Sequence, residues 1–125
     1  MGTCGERDSL GKGLALFNTG RFFECHEAWE KVWQRASGAE KLFCQGLIQV
    51  AVALLHAERG NLRGAASVFG KARAKLDPLP AAHMGIALGE FRSALDEFFA
   101  AVFAGKPLPP RPRLRELAAV EMPRG

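Results

Sequence analysis

Apolar residues recur along most of the chain at intervals of three and four positions, which is the period of an amphipathic α-helix. No stretch shows the clear alternation of apolar and polar residues that predicts a half-buried β-strand. Glycines and prolines interrupt the helical pattern repeatedly, and they divide it into five segments. The chain is therefore predicted to be an all-α protein, a compact bundle of about five helices.

The interruptions give the approximate bounds of the helices as residues 8–18, 21–36, 39–58, 62–76 and 81–104. Asp8 or Ser9 is expected to cap the first helix and Asn61 the fourth, because such side chains accept hydrogen bonds from free backbone N–H groups. The loops between the first four helices are short, so two antiparallel αα-hairpins are predicted, followed by the fifth helix. The prolines after the fifth helix cannot continue it.

With 125 residues, of which 48% are hydrophobic and 24% are charged, the chain has the size and composition of one globular domain. We predict a helical domain over residues 1–105 and a basic, proline-containing tail over residues 106–125. No apolar run reaches the roughly 18 residues of a membrane span, so no membrane contact is predicted. The N-terminus shows no export signal, and the three cysteines form no C-x-x-C pair. Reduced thiols in a cytoplasmic protein are therefore expected.

The net charge of +4 raises the question of nucleic-acid binding, but its distribution argues against such binding. Of the 17 basic and 13 acidic residues, the tail holds five and two, which leaves 12 and 11 in the rest of the chain. A domain that binds phosphates usually carries a basic surface on its folded body. We therefore predict that the protein binds no nucleic acid and that the tail is solvated.

The second predicted helix contains the segment FFECHEAWEKVW, in which polar side chains stand among four aromatic rings. On a helical wheel His26 and Glu30 fall on the side of Trp29 and Trp33, with Glu27 at its border. This placement predicts that His26 and Glu30 point towards the core or a cleft in it. A buried polar group without a partner costs about 1–3 kcal/mol, and an unpaired charge costs more. Polar partners are therefore expected on a neighbouring helix.

The third predicted helix carries a second polar line in an otherwise apolar sequence. Gln45, Gln49 and His56 lie within about 40° of one another on its wheel, and Arg59 follows one turn later. Two polar lines on adjacent helices are expected to face each other. The predicted ligand-binding site between helices 2 and 3 comprises His26, Glu27, Trp29, Glu30, Gln45, Gln49, His56, Arg59 and Asn61.

Three interpretations of this site remain open. The first is a buried hydrogen-bond network that fixes the register of the helices. The second is a pocket for a small molecule or an anion, in which Arg59 and Arg63 flank the free N–H groups at the start of the fourth helix. The third is a small metal-dependent hydrolase that uses His26, Glu30 and His56. A ligand-binding or interaction module is favoured over an enzyme, and no cofactor or catalytic residue is assigned.

The fifth predicted helix contains Gly85 and Gly89, four residues apart and beside an apolar stripe. A glycine inside a helix costs about 1 kcal/mol relative to alanine, which favours a position that another helix approaches closely. A homodimer through this helix is predicted on that ground. The same stripe could instead be used entirely inside the monomer.

Two long segments, FNTGRFFECHEAWEKVW and QGLIQVAVALLHAERGNLRGA, together resemble a known family. The pattern of that family is approximately F-x-x-G-x-[FY]-[FY]-E-A-H-E-x-W-E, followed by Q-G-[LI]-I-Q-x-A-x-A-x-x-H-x-x-R-G-N-x-x-G-A. Residues 17–76 are similar to the bacterial and archaeal domain of unknown function family 309. The resemblance implies a compact all-α domain in a family with no established activity. The polar signature of the family falls on Glu24, His26, Glu27, Trp29, Glu30, Gln45, Gln49, His56, Arg59, Gly60 and Asn61.

Overall fold

The computed structural model describes the backbone of residues 2–118 and the side chains of residues 10–118. In this part of the chain, five α-helices and one short β-hairpin follow one another. The helices are α1 (Gly2–Asn18), α2 (Phe22–Arg35), α3 (Gly38–Glu58), α4 (Leu62–Leu76) and α5 (Leu88–Phe103); the hairpin pairs β1 (Ala82–His83) with β2 (Ile86–Ala87). The predicted all-α fold is confirmed.

The connections between the first four helices are two or three residues long, so consecutive helices pack against each other in antiparallel hairpins. Helix α4 begins where it was predicted, because the Asn61 side-chain oxygen accepts a hydrogen bond from the backbone N–H of Gly64 at 3.0 Å. Helix α1 is longer than predicted. Asp8 and Ser9 lie inside it rather than at its start, because no proline precedes them and a helix tolerates single glycines.

Helix α3 lies at the centre of the bundle, between α2 and α4. Its buried residues are Phe43, Cys44, Gly46, Leu47, Val50, Ala51, Ala53, Leu54 and Ala57. By length and composition alone α3 would suit a membrane span, but its buried residues belong to the same core as those of its neighbours. Gly46 allows a close approach to α4, since a Cβ atom at this position would lie 2.6 Å from Leu76 Cδ2.

Trp29 fixes the contact between α1 and α2. Its side chain is completely buried, and its indole N–H donates to the carbonyl oxygen of Leu10 at 3.3 Å. The ring lies so close to Gly13 that a Cβ atom there would collide with Trp29 Nε1. The ring centroid of Phe17 lies 5.7 Å from that of Trp29 and 5.6 Å from that of Phe91 in α5. One aromatic cluster therefore joins three helices.

Helix α5 is shorter than predicted, because residues 81–87 form the β-hairpin and its approach. Met84 and Gly85 occupy the hairpin turn with φ angles of 50° and 75°, which a right-handed helix excludes. Gly89 approaches the hairpin of its own chain, since a Cβ atom there would lie 2.9 Å from Ala81 Cβ. The glycine pair that suggested a homodimer thus has an explanation within the chain. The homodimer itself stays a prediction.

The apolar stripe of α5 faces the core of its own chain. Its buried residues are Leu88, Phe91, Leu95, Phe98, Phe99 and Val102. Phe99 stacks on Phe69 of α4, with ring centroids 4.2 Å apart. Arg92 binds the end of α4, where its Nη1 atom donates to the carbonyl oxygens of Leu76 and Leu79 at 2.7 Å each. The guanidinium thereby binds carbonyl groups at the last residue of α4 and just beyond it, where the intrahelical hydrogen bonds end.

Residues 111–117 of the tail pack against the bundle. Leu114 is only 3% exposed and Pro112 is also buried. An antiparallel bridge between Glu116 and Ile86 adds the tail to the edge of the hairpin. The prediction of a solvated tail is wrong for this segment. It was based on the many basic side chains and did not consider that Pro112 and Leu114 could be buried. Residues 119–125 lie outside the described part of the chain.

His83 in β1 is expected to make stability depend on pH. Its ring packs edge-on against that of Phe43, with centroids 4.9 Å apart. Burial lowers the pKa of His83 below its ordinary value of 6.5, although Glu40 acts in the opposite direction. The unfolded chain therefore takes up this proton at a higher pH than the folded chain.

The stabilisation from neutral His83 is present above the unfolded pKa and is lost as the pH falls through the folded pKa. We expect the free energy of unfolding to decrease between about pH 7 and about pH 5, and His83→Gln to reduce that decrease. Denaturant titrations of both proteins across this range measure the effect. An identical pH dependence in the two proteins would show that another group is responsible.

Candidate functional site

The predicted site residues of α2 separate into a buried and an exposed group. The buried residues of this helix are Phe22, Cys25, Ala28, Trp29 and Val32. His26 is half-buried, whereas Glu27 and Glu30 are exposed. Trp29 is therefore a core residue, and the prediction that Glu30 points towards the core is wrong.

The wheel prediction failed because it used aromatic rings as markers of the buried side. Phe23 is 70% exposed although the adjacent Phe22 is only 2% exposed. The centre of the buried face holds the small residues Cys25 and Ala28, which allow the neighbouring helices to approach closely. Glu30 lies roughly 140° around the helix from Cys25, so its carboxylate faces solvent.

The polar line of α3 lies on the outer side of that helix. Gln45, Gln49 and His56 are each half-buried, and Arg59 is exposed. The side-chain oxygen of Gln49 accepts a hydrogen bond from Lys75 Nζ at 2.9 Å. This bond joins the line to α4 rather than to α2.

The two polar lines do not meet within the described part of the chain. No polar or charged side chain is buried there, and no hydrogen bond or ion pair joins His26 or Glu30 to α3. The predicted buried network is therefore absent from the described residues. The register of the helix pair explains why. Only two residues connect α2 to α3, and the Lys41 ammonium lies 4.6 Å from the centroid of the Trp33 ring, so the start of α3 lies level with the end of α2.

Counting along both helices from the Trp33–Lys41 contact places Glu30 level with Cys44, in the second turn of α3. At 1.5 Å per residue, His56 lies roughly 18 Å beyond that level, and roughly 12 Å beyond the level of His26. These three residues are too far apart to bind one metal ion. No group of three metal-binding side chains occurs in the described part of the chain.

His56 and Asn61 meet in the turn between α3 and α4. Because the Asn61 oxygen accepts from the Gly64 N–H, the Asn61 amide nitrogen faces His56 Nδ1 at 3.1 Å. Nδ1 must therefore accept this bond, and neutral His56 carries its proton on Nε2. A Cβ atom at Gly64 would lie 2.6 Å from Asn61 Nδ2. The motif H-x-x-R-G-N-x-x-G thus builds a helix cap, and the cap uses one of the N–H groups that an anion would need.

Cys25 and Cys44 are buried free thiols of the core. Burial raises the pKa of Cys25 to about 12. Burial, with a smaller contribution from Glu40, raises the pKa of Cys44 to about 11. Thiols with such pKa values are protonated at neutral pH and are poor nucleophiles. The side chain of Cys4 lies outside the described residues.

Two side chains outside the predicted site make the most specific long-range contacts. The Asn18 amide binds both the N–H and the carbonyl group of Leu114, at 2.8 Å each. The Arg111 guanidinium forms an ion pair with Glu58 at 2.6 Å and lies 5.4 Å from the ring centroid of Phe22. Sequence reasoning missed these contacts because the partners are 96 and 53 residues apart.

Residues 10–68 match the family described as a domain of unknown function, DUF309. The chain contains a DUF309 domain. The matched residues run from α1 into α4, so the DUF309 segment includes both polar lines and the capped turn between α3 and α4. The resemblance seen in the sequence is confirmed over this segment.

A longer relative shares the DUF309 region of this chain. An uncharacterized protein of Aquifex aeolicus (strain VF5) is 33% identical to the chain over 108 residues. The alignment covers 86% of this chain and 32% of the relative, so the chain spans about a third of the length of that protein. The alignment is longer than the DUF309 match, and the similarity therefore extends beyond that segment.

The DUF309 signature leaves one face of α2 in solvent. We use the name outer face of α2 for the residues Phe23, His26, Glu27 and Glu30. Phe23, Glu27 and Glu30 follow one another at spacings of four and three, so they form one stripe. Neither Glu27 nor Glu30 forms an ion pair with another described residue, whereas Glu24 on the adjacent face does. The stripe combines an exposed phenyl ring with two unpaired carboxylates.

Proposed function

We propose that the DUF309 domain is an interaction module whose outer face of α2 binds a basic, partly apolar segment of another polypeptide. The observation that carries this proposal is the 70% exposure of Phe23, which exceeds that of every other large apolar side chain in the described part of the chain. An exposed phenyl ring adds nothing to core packing. It gains stability when a partner removes it from water.

The charges beside Phe23 indicate the chemistry of the partner. Glu27 and Glu30 lie on the same stripe, and an arginine can pair with a carboxylate through two hydrogen bonds while its guanidinium stacks on an aromatic ring. Arginine and aromatic side chains are also frequent at the energetic centre of protein interfaces. A partner helix with arginines beside apolar residues would complement the outer face of α2.

The form of the surface favours a polypeptide over a small molecule. Pockets for small molecules bury most of the ligand surface, whereas Phe23, Glu27 and Glu30 stand exposed on the outside of a helix. The Aquifex aeolicus relative is about three times as long as its aligned region. A domain that forms one part of a longer protein is consistent with a module that binds other segments.

Selection of peptides from a random display library on the full chain tests the proposal. We expect enrichment of peptides that combine arginine or lysine with aromatic or aliphatic residues, and weaker binding at higher salt. Phe23→Ala and the double change Glu27→Gln and Glu30→Gln should each weaken binding about tenfold or more. Leu62→Ala is the matched control, since Leu62 is an apolar residue of α4 that is 44% exposed.

Two results would refute the proposed function. One is an enriched set of peptides without basic residues. The other is a basic peptide whose affinity is the same for the wild type, for Phe23→Ala and for the double glutamine variant.

A further inference from the structure

The tail segment 111–117 lies against the bundle in the manner of a bound extended peptide. The Asn18 amide satisfies both backbone groups of Leu114. Further along the segment, the Arg115 carbonyl accepts from the Ala87 N–H at 3.0 Å, and the Leu117 N–H donates to the Gly85 carbonyl at 2.8 Å. These contacts use the backbone of the segment and are independent of its side chains.

Two side chains anchor the same segment. Leu114 is almost completely buried, and Arg111, three residues earlier, pairs with Glu58 at the end of α3. The Arg111 guanidinium also lies directly against Gly20, where a Cβ atom would collide with it. The groove therefore accepts an extended segment in which an arginine precedes a leucine by three residues.

The groove is wider than the segment that lies in it. A cleft of about 630 Å³ remains beside residues 113–116. It is bounded by Gly11, Leu14, Ala15 and Asn18 of α1 and by Glu90 and Ala94 of α5. Helices α1 and α5 thus form one side of the cleft, and residues 113–116 of the tail form the other side.

We propose that this groove is a peptide-binding site and that residues 111–117 are its internal ligand. Addition of a strand to a sheet edge, combined with pockets for single side chains, is a recurring way in which proteins bind extended peptides. The external ligand would be an extended segment of another polypeptide with the spacing Arg-Pro-x-Leu. This site is separate from the outer face of α2, and the inference does not depend on the proposed function.

An external peptide must compete with residues 111–117 for the groove. A covalently attached segment has an effective concentration of the order of millimolar, so an external peptide of equal intrinsic affinity competes poorly. Binding in trans becomes measurable when the internal segment is weakened. Leu114→Asp achieves this weakening, because an unpaired carboxylate cannot occupy a buried apolar site without a large cost.

The experiment uses full-length Leu114→Asp and a fluorescent peptide with the wild-type sequence of residues 108–118. Circular dichroism verifies the helical fold, and limited trypsin cleavage after Arg113 and Arg115 reports release of the tail. Arg111→Glu serves as a second variant, because Arg111 is exposed and its reversal faces Glu58 without disturbing the core. Fluorescence anisotropy then measures peptide binding to each protein.

We expect both variants to bind the peptide at least about tenfold more tightly than the wild type, whose own segment competes. Adding Asn18→Asp to Leu114→Asp should abolish this gain, because a carboxylate cannot donate to the Leu114 carbonyl. A peptide that itself carries Leu114→Asp should not bind. A tail that stays protected from trypsin in both variants would overturn the proposal, and so would a released tail without peptide binding.

Discussion

Replacing Trp29 by alanine should lower the free energy of unfolding by about 3–5 kcal/mol, the largest effect expected for a substitution in this domain. The side chain is completely buried where α2 meets α1, and the neighbouring ring of Phe17 cannot fill the space that it leaves. The change also removes the donor to the Leu10 carbonyl. Denaturant titration followed by far-ultraviolet circular dichroism measures the loss.

Two glycine substitutions serve as matched controls for this effect. Gly13→Ala should cost about 1–3 kcal/mol by overpacking against the Trp29 ring. Gly70→Ala, where no heavy atom lies within 4 Å of the added Cβ, should instead stabilise the protein by about 0.5–1 kcal/mol. In the Trp29→Ala background the cost of Gly13→Ala should disappear. A loss below about 1 kcal/mol for Trp29→Ala would contradict the central role of this ring in the core.

Replacing Arg92 by methionine should lower the free energy of unfolding by about 2–3 kcal/mol. The Arg92 guanidinium donates to the Leu76 and Leu79 carbonyl oxygens at the end of α4, and methionine keeps the apolar stem but has no donor. The carbonyl groups then lose charge-assisted hydrogen bonds in a partly buried place. Thermal and denaturant unfolding of the two proteins measure the difference.

Arg73→Met is the control for Arg92→Met. Arg73 pairs with Asp77 in its own helix at 3.0 Å and joins α4 to α5 through an ion pair with Asp96 at 3.2 Å. Both carboxylates are about half exposed, so each pair should contribute less than about 1 kcal/mol. Equal losses for the two substitutions would mean that Arg92 acts only as another surface charge.

The helices could be predicted where their signals are local. Periodicity and the Asn61 cap gave α3 and α4 to within one residue of the observed bounds, because both signals act over a few neighbouring positions. The start of α5 could not be found in this way. Residues 81–87 are compatible with a helix, and they form a hairpin whose edge also pairs with residues 115–117 at the other end of the described chain.

The location of the site on α2 and α3 could be predicted only in part. The sequence showed that each helix carries a line of polar side chains. Whether a line faces the other helix or solvent depends on which residues the neighbouring helices contact. Neighbouring helices approach most closely at small side chains such as Cys25. A hydropathy pattern does not distinguish these positions from other apolar positions. The axial register between α2 and α3 also could not be predicted from the sequence. This register places Glu30 far from His56 along the helix pair. The docking of the tail rests on Asn18, whose partner lies 96 residues away.

The dissociation constant of a selected basic peptide for Phe23→Ala tests the proposed interaction surface most directly. We predict at least a tenfold weakening, or about 1.4 kcal/mol, with a free energy of unfolding within about 0.5 kcal/mol of the wild type. Leu62→Ala and Asn18→Asp should leave the affinity for this peptide unchanged, because neither residue lies on the outer face of α2. A dissociation constant equal to that of the wild type for Phe23→Ala would contradict the claim that this face binds a partner.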